Sequence, residues 1–251
     1  MSGRFAGLEV LVTGASSGIG RATVTAFSAQ GARVHALARR AERLETLAAV
    51  TGAVPHAVDM TDTAALEALA GRIAPDVLVN NAGLGAGIAG LEGAAEDEVA
   101  RTIGVNVTAL LQALRLFLPG MRARGRGHVV NIGSVAGLYP IMSTVYGASK
   151  GAVRQISRNL RIELRGTGIR VTEIQPGRVS TEFYDAAIPD DAQTRDRLKT
   201  TGVRELSPED IAGAVLYAVG APAHVNISAI EIQPVEQSYG GVSFDPVDWA
   251  D

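Results

Sequence analysis

The sequence predicts a single α/β domain built on a doubly wound parallel sheet of about seven strands, with helices on both faces. Short runs rich in Val, Leu, Ile and Ala alternate with longer stretches of helical periodicity. The runs are almost continuously apolar, as expected of parallel strands that are covered on both faces. No repeat, linker or change of composition divides the 251 residues, so residues 1–251 are predicted to form one domain.

Strands are predicted where short apolar runs are bounded by turn residues. The seven predicted strands are Leu8–Thr13, Arg33–Ala38, Val54–Asp59, Asp76–Asn80, His128–Gly133, Ile169–Gln175 and Ala229–Gln233. Helices are predicted where apolar residues recur every three or four positions. The predicted helices are Gly20–Gln30, Ala41–Val50, Thr63–Ile73, Glu96–Arg122, Tyr146–Arg165 and Pro208–Val219. In a sheet of this kind, ligands bind beyond the carboxyl ends of the strands.

Two segments lack a regular pattern. Leu84–Ala94 is rich in Gly and Ala, whereas Glu182–Leu206 is charged and contains Pro189. A long irregular segment inside a compact domain is typically either a functional lid or a surface loop. The later of the two segments is interpreted as a lid, because it directly follows the last of the motifs described below.

Composition excludes several classes of function. A net charge of −3 and a pI of about 5.9 provide no basic surface for nucleic acid or anionic lipid. The absence of cysteine excludes disulfides, thiolate zinc sites and thiol nucleophiles. The four histidines are scattered without a helical i, i+4 pair, so no metal site is predicted. With no signal-like N-terminus and no run of about 18 apolar residues, a cytoplasmic protein without membrane contact is expected.

A glycine-rich turn, TGASSGIG at Thr13–Gly20, follows the first predicted strand and opens the first helix. Glycines here permit a tight turn and let backbone N–H groups approach a pyrophosphate at the helix N-terminus. The spacing is G-x-x-x-G-x-G, and it is the strand–turn–helix context, more than the glycines alone, that predicts phosphate binding. The residues assigned to this role are Gly14, Ser16, Ser17, Gly18, Ile19 and Gly20.

The end of the second strand indicates which dinucleotide binds. A carboxylate at this point accepts a hydrogen bond from the free ribose hydroxyl of NAD. Here the strand is followed by Arg39 and Arg40, and the first carboxylate is that of Glu42. Two guanidinium groups suit the 2′-phosphate of NADP, so NADP(H) is the predicted cofactor. The alternative is a solvated pair of arginines at the start of a helix.

Three side chains are candidates for proton transfer. Ser134 follows the fifth strand, and Tyr146 and Lys150 are four residues apart on a predicted helix, so the last two share one face. A free phenol has a pKa of about 10, and the neighbouring cation is expected to lower it. Ser134 would hold the substrate oxygen while Tyr146 exchanges its proton. The Tyr-x-x-x-Lys spacing is common by chance, and its weight comes from the order of motifs along the chain.

That order resembles the short-chain dehydrogenase/reductase family over essentially the whole chain. The motifs are TGASSGIG, NNAG at Asn80–Gly83, VNV around Asn106, GSVAG, YGASK and QPGRVST. The resemblance implies a Rossmann-type fold and a Ser–Tyr–Lys triad supported by an asparagine, here Ser134, Tyr146, Lys150 and Asn106. It also implies that Lys150 binds the nicotinamide ribose, and that Asn106 holds a water in the proton relay.

The resemblance assigns further cofactor contacts and a mobile substrate lid at about residues 182–206. The additional residues are Asp59 at the adenine with Met60 beside it, Asn80, Ala82 and Gly83 at the adenosine ribose, and Pro176, Gly177, Val179 and Thr181 beside the nicotinamide and pyrophosphate. Tyr146 and Lys150 are shared between cofactor binding and catalysis.

Within the family, the chain is most similar to NADP-dependent 3-hydroxy acid dehydrogenases of the serine type. The likeness is carried by Leu78–Leu84, Leu118–Arg122, Val145–Arg154 and Pro222–Tyr239. It implies oxidation of serine, allo-threonine or 3-hydroxyisobutyrate, or reduction of malonic semialdehyde. It also implies a homotetramer packed through the two long helices.

Arg178 departs from the apolar residue expected after Pro176 and Gly177 in that subgroup. It is assigned to the substrate site with Ser134 and Tyr146, because a guanidinium suits a carboxylate or sulfonate. An ion pair with a carboxylate of the chain, or exposure to solvent, is the favoured interpretation.

Three functions stay open at this point. The first is oxidation of a small 3-hydroxy acid or reduction of its semialdehyde. The second is reduction of another carbonyl compound, such as sulfoacetaldehyde, a 3-oxoacyl thioester or a hydrophobic ketone. Arg178, Asp185, Asp190 and Asp191 suggest a polar lid for a small substrate, although charges on a loop usually face water. The third is NADPH binding without turnover, against which the presence of both Tyr146 and Lys150 argues.

Overall fold

Seven parallel strands form one sheet in the part of the chain that the structure describes. The structure is a computed structural model that describes residues 3–86, 90–141, 143–187, 192–238, 244–247 and 249. The strand order is β3-β2-β1-β4-β5-β6-β7, and each neighbouring pair is parallel. The strands are β1 Glu9–Thr13, β2 Arg33–Ala38, β3 Val54–Ala57, β4 Val77–Asn80, β5 Gly127–Ile132, β6 Ile169–Pro176 and β7 Ala229–Ile232. The predicted doubly wound sheet is confirmed.

Helices connect successive strands and cover both faces of the sheet. They are α1 Gly18–Ala29, α2 Ala41–Thr51, α3 Thr63–Ala70, α4 Glu96–Ile103, α5 Leu110–Arg124, α6 Thr144–Glu163, α7 Phe183–Ala187, α8 Ala192–Lys199 and α9 Pro208–Val219. The start of α9 was predictable because Ser207 and Asp210 form a capping box around Pro208 at the first helical position.

The structure differs from the prediction in two places. The long helix predicted at Glu96–Arg122 is divided, because Gly104–Ala109 forms a π-helical segment between α4 and α5. The predicted irregular lid contains α7 and α8, whose short and charged sequences show no clear periodicity. Residues 87–89 of the Leu84–Ala94 segment, and residues 188–191 with Pro189, Asp190 and Asp191, lie outside the described residues.

Alternation of side chains along the strands builds two apolar cores, one on each face of the sheet. Val10 and Val12 of β1 face α1 and α9, where they join Phe27. Leu11, between them, faces α3, α5 and α6, where it joins Leu114. All five side chains are less than 5% exposed. Burial of each such side chain contributes roughly 1.5–3 kcal/mol to folding.

The parallel pairing brings the carboxyl ends of four central strands to one edge of the sheet. Gly14 follows β1, Asn81 follows β4, Ser134 lies two residues beyond β5 and Gly177 follows β6. Residues from loops that are far apart in sequence are therefore collected in one place, the position at which doubly wound sheets bind ligands.

Candidate active site

A cleft of about 1200 Å³ runs along this edge of the sheet. It is lined by the glycine-rich turn, by the segments that follow β2, β4, β5 and β6, and by parts of α6 and the lid. The predicted site residues that line it are Gly14, Ser16, Ser17, Gly18, Ile19, Arg39, Arg40, Asp59, Met60, Ala82, Gly83, Ser134, Tyr146, Lys150, Pro176, Gly177, Arg178, Val179 and Thr181. Gly20, Asn80 and Asn106 are absent from the lining.

The glycine-rich turn packs so closely that side chains are excluded from it. Gly14 has a φ of 66°, and a Cβ there would lie 2.8 Å from Asn81 Nδ2. A Cβ on Gly20 would lie 2.4 Å from the Gly14 carbonyl oxygen, so Gly20 maintains the turn from behind the cleft. Ser17 occupies the N-cap of α1 without a hydrogen bond from its side chain to the helix. The turn thus provides the geometry in which a helix N-terminus binds phosphate.

Asn81, rather than the predicted Asn80, lies at the cleft. The Asn80 side chain is buried and donates a 2.9 Å hydrogen bond to Asn131 Oδ1 on the neighbouring strand. The Asn81 side chain donates to the Thr13 carbonyl oxygen at 2.9 Å, and Thr13 Oγ1 accepts from the backbone N–H groups of Asn81 and Ala82. Asn80 is the last residue of β4 and its side chain is bound to the neighbouring strand, so its assignment to the ribose stays a prediction.

The two predicted phosphate-binding arginines have different surroundings. Arg40 donates from Nε to Ser16 Oγ at 3.0 Å and from Nη2 to Ser17 Oγ at 2.7 Å, which joins the end of β2 to the glycine-rich turn. Arg39 is 74% exposed and lies 3.8 Å from the Asp59 carboxylate. Partial burial would raise the pKa of Asp59, but hydrogen bonds from Thr61 and the charge of Arg39 outweigh it and lower that pKa. A carboxylate and a guanidinium thus flank the place predicted for the adenosine.

The predicted triad meets in one part of the cleft, which we call the catalytic end. Lys150 Nζ donates a 2.9 Å hydrogen bond to the Ile132 carbonyl oxygen and lies 5.8 Å from the centre of the Tyr146 ring. Ser134 Oγ accepts from the Ala136 N–H at 3.1 Å, in a short turn that follows β5. A hydroxyl, a phenol and an ammonium group therefore face one space, as general acid–base chemistry at a carbonyl requires.

The protonation of the triad differs from the sequence prediction. Burial raises the pKa of Tyr146 to about 12, against a hydrogen bond with Ser134 that lowers it. Burial lowers the pKa of Lys150 to about 8, against the charge of Glu173 that raises it. The predicted decrease in the pKa of the phenol was therefore wrong for this state of the protein. The loss of water around the phenol, together with the nearby Tyr184, outweighs the hydrogen bond with Ser134.

Asn106 joins three parts of the chain behind the catalytic end. Its side chain accepts from the Leu84 N–H at 2.7 Å, and donates to the Leu84 carbonyl oxygen at 2.8 Å and to Ser149 Oγ at 2.9 Å. It is 1% exposed and lies in the π-helical segment, a conformation that is frequent at functional sites. The side chain fixes the loop after β4 against α6, and the role of Asn106 in holding a water stays a prediction.

The part of the cleft that is lined by Arg178, Phe183 and Tyr184 is called here the substrate end. Arg178 Nε donates to the Glu205 carboxylate at 2.6 Å, and Nη1 donates to the Tyr184 hydroxyl at 2.5 Å. The guanidinium also stacks on the Tyr184 ring at 4.4 Å. The side chains of the ion pair are only 10% and 15% exposed. Arg178 thus lines the cleft while its charge is balanced within the chain.

Phe183 brings the lid against the catalytic tyrosine. Its ring centre lies 5.3 Å from that of Tyr146 and 5.3 Å from that of Tyr184. A Cβ on Gly85 would lie 2.2 Å from the Phe183 ring, so the glycine makes room for it. Sequence reasoning did not assign Phe183, Tyr184 or Glu205, since no periodicity or motif links them to the triad. Within the described part of the chain, no group of three or more His, Asp or Glu residues could hold a metal.

Comparisons with known proteins agree with this architecture. A family model described as short chain dehydrogenase matches residues 9–192. The chain is 41% identical to an NADP-dependent 3-hydroxy acid dehydrogenase of Salmonella typhi over 93% of its length and 98% of that protein. It is 39% identical to a serine 3-dehydrogenase of Agrobacterium fabrum, covering 92% of this chain and 96% of that one.

Solved structures give the same result. A closed form of serine dehydrogenase complexed with NADP⁺ superposes with a TM-score of 0.89 at 40% identity, covering 94% of this chain and 98% of that one. Serine dehydrogenase from Escherichia coli gives 0.80 at 38% identity, with coverages of 92% and 100%. Fold, site and full-length similarity therefore agree, and the chain belongs to the short-chain dehydrogenase family.

Proposed function

We propose that this protein is an NADP(H)-dependent oxidoreductase that interconverts a small 3-hydroxy acid and its semialdehyde or ketone. The observation that carries the proposal is the meeting of Ser134, Tyr146 and Lys150 in one cleft, in a chain about 40% identical to 3-hydroxy acid and serine dehydrogenases over nearly its full length. The chain is an enzyme that acts on a CH–OH group or its carbonyl counterpart.

The residues of the cleft fit the dinucleotide. The glycine-rich turn and the N-terminus of α1 would hold the pyrophosphate, and the arginines after β2 would hold the 2′-phosphate. Asp59 and Met60 would contact the adenine, and Lys150 the nicotinamide ribose. The segment from Pro176 to Thr181 would lie beside the nicotinamide. The cofactor supplies or accepts the hydride, and the protein manages the proton.

Proton transfer is assigned to Tyr146. With its pKa raised to about 12, the phenol is protonated at neutral pH, which is the form that donates a proton to a carbonyl oxygen during reduction. Ser134 would orient that oxygen by a hydrogen bond. The Lys150 ammonium, anchored on the Ile132 carbonyl oxygen, would stabilise the phenolate that remains.

A second candidate is reduction of a different carbonyl compound, including a hydrophobic ketone. It is favoured by the substrate end itself, where Glu205 balances the charge of Arg178 and the rings of Phe183 and Tyr184 form the wall. An acid substrate bound by Arg178 would have to share the guanidinium with Glu205. The role of Arg178 in substrate binding is therefore part of the proposal for an acid substrate and is absent from the alternative.

The test is NADPH oxidation, with NADH in parallel, across malonic semialdehyde, sulfoacetaldehyde, a 3-oxoacyl thioester and a bulky aryl ketone. Efficient turnover of malonic semialdehyde, with a KM that rises at least tenfold in Arg178→Leu, would support the acid substrate. Turnover of the aryl ketone alone would contradict the acid substrate and support the second candidate function.

We also propose a cytoplasmic homotetramer packed through α4–α5 and α6. The helical stretch Glu96–Arg124 has a mean hydropathy of 1.3 in its most apolar window, of which 33% is buried within the chain. By length and composition it could cross a membrane, but its buried face packs on the sheet. Leu111 and Ile162, 46% and 62% exposed, would be covered by a partner subunit. Light scattering that gives a monomer at micromolar concentration would contradict this assembly.

A further inference from the structure

The first residue of the lid, Glu182, is bound to two arginines at the start of α2. Glu182 accepts from Arg43 Nη1 at 2.7 Å and 3.0 Å, and from Arg40 Nη1 at 3.3 Å. Glu182 directly precedes α7, which carries Phe183 against Tyr146. A single carboxylate therefore connects the segment that covers the catalytic tyrosine to the helix that follows β2.

These contacts identify which guanidinium groups already converge on an anion. Arg40 holds the glycine-rich turn through Ser16 and Ser17 while a third nitrogen reaches Glu182. Arg43, one turn along the same helix, gives Glu182 its two shortest contacts. Arg39, by contrast, lies beside Asp59. The convergent pair is thus Arg40 and Arg43, whereas the sequence pointed to Arg39 and Arg40.

We propose that Arg40 and Arg43 bind the 2′-phosphate of NADP(H), and that Glu182 is an internal carboxylate that competes with this phosphate and thereby couples the lid to the cofactor. The inference rests on the NADP(H) specificity of the proposed function, and it is independent of the carbonyl substrate. Glu182 then becomes a residue that determines cofactor specificity although it belongs to the lid.

The strengths of the two anions make the exchange feasible. The Glu182, Arg40 and Arg43 side chains are each 46–49% exposed, and ion pairs this accessible to water are weak. The pKa of Glu182 is lowered, chiefly by the hydrogen bond from Arg43, so it remains a competitor of charge −1 at neutral pH. A phosphate monoester carries about −1.5 to −2 and offers three acceptor oxygens. The phosphate therefore displaces the Glu182 carboxylate from the arginines, but this competition lowers the affinity with which the phosphate binds.

The coupling is reciprocal by thermodynamic necessity. If the phosphate weakens the contact of Glu182 with the arginines, that contact weakens binding of the phosphate to the same extent. NADH, which has no 2′-phosphate, leaves the contact in place. The contact of Glu182 with the two arginines is therefore kept when NADH is bound and lost when NADPH is bound.

The first experiment measures dissociation constants of NADPH and NADH by fluorescence titration for the parent protein, Glu182→Gln and Glu45→Gln. Glu182→Gln should bind NADPH about three- to tenfold more tightly, since two exposed ion pairs no longer compete, with NADH changed less than about twofold. Glu45 lies exposed on the same helix as Arg43, so Glu45→Gln controls for the loss of one negative charge. Unchanged or weaker NADPH binding in Glu182→Gln would overturn the proposal.

A second comparison separates the two arginines. Arg43→Ala should weaken NADPH binding at least about fivefold more than Arg39→Ala does. In the Arg43→Ala background Glu182→Gln should have a smaller effect than in the parent, because Glu182 then competes only for Arg40. A larger loss of NADPH affinity in Arg39→Ala than in Arg43→Ala would show that Arg39 and Arg40 bind the phosphate and that Arg43 does not. A parent protein that binds NADPH and NADH equally would refute the cofactor assignment itself, which is a different failure.

The lid is tested with cofactor fragments that lack the nicotinamide. In the parent, 2′,5′-ADP should increase amide hydrogen exchange across residues 182–187 relative to 5′-AMP, because only the former carries the competing phosphate. In Glu182→Gln the two fragments should give the same exchange. Equal exchange with both fragments in the parent, or protection by 2′,5′-ADP, would show that the phosphate leaves Glu182 in place.

Discussion

Contacts with the backbone predominate at the catalytic end of the cleft, whereas pairs of side chains predominate at the substrate end. At the catalytic end, Lys150 binds the backbone of Ile132, and Asn106 binds the backbone of Leu84. At the substrate end, side chain binds side chain: Arg178 pairs with Glu205 and Tyr184. Backbone groups are present whatever the sequence, whereas a pair of side chains depends on the identity of both residues.

This difference separates chemistry from specificity. Changes at the catalytic end disturb contacts with strands and helices that the whole fold needs. Exchange of Arg178 and Glu205 for another matched pair would reshape the substrate space and leave the sheet intact. Substitutions at each end of the cleft can therefore test whether chemistry and specificity are separate.

The sharpest contrast is between two tyrosines of the same cleft. Tyr146→Phe should lower kcat by about 10²–10⁴-fold, because it removes the group that exchanges the proton. NADPH affinity should stay within about twofold, since the ring and Lys150 remain. Tyr184→Phe, the matched control at the substrate end, should lower kcat less than about tenfold. Comparable losses of kcat in the two variants would remove the distinction between the two ends.

The buried ion pair tests how the substrate end contributes to stability. Arg178→Leu should lower the free energy of unfolding by about 2–4 kcal/mol, because it leaves the Glu205 carboxylate without its partner at 15% exposure. The double variant Arg178→Leu, Glu205→Leu should recover much of this loss, because both charges are removed together. Urea denaturation measures both. Equal destabilisation in the single and double variants would mean that the packing of Arg178, rather than its charge, matters.

Cofactor selection should depend on the helix start after β2. Replacing both Arg39 and Arg40 with Ala should weaken NADPH binding by about 10–100-fold, the range expected for charge-assisted hydrogen bonds to a phosphate. NADH binding should change far less. A control that replaces the exposed Arg33 and Arg165 with Ala removes the same charge near the amino ends of β2 and β6, away from the cleft. Equal losses for the two cofactors would show that Arg39 and Arg40 do not recognise the phosphate.

The smallest expected effect is a loss of folding stability at low pH, which should come from two histidines outside both ends of the cleft. Burial lowers the pKa of His56 to about 4 and that of His128 to about 3 from an ordinary value of 6.5. At pH values between the ordinary pKa of 6.5 and these lowered pKa values, the folded protein binds fewer protons than the unfolded chain. The stability is therefore fully present above about pH 6.5 and declines as the pH falls towards 4 and 3.

Thermal melting between pH 7.5 and 4.5 measures this decline. His56→Gln should make the Tm less dependent on pH, whereas the exposed His224 serves as the control in His224→Gln. A Tm profile in His56→Gln that follows the parent at every pH would show that His56 makes no contribution.

The features that the sequence predicted are those encoded by local pattern. The strands alternate with helices, and a capping box precedes α9, so these elements were found with small errors in their bounds. The triad followed from the order of motifs. An ion pair of Arg178 with a carboxylate was favoured from the sequence and is confirmed. Its partner, Glu205, could not be predicted, because 27 residues separate the two and no period connects them. The direction of the Tyr146 pKa shift depended on burial, which the sequence alone does not give.

The strand order has a consequence for how the protein is made. β1 lies inside the sheet, with β2 and β3 on one side and β4 on the other, so residues up to Asn80 complete four adjacent strands. Chains emerge from the ribosome N-terminus first, and segments that pair early can begin to assemble during synthesis. The half that receives the nucleotide therefore emerges before Ser134 and Tyr146 have been translated. The proton-transfer residues are added afterwards, onto a half-sheet that can already be in place.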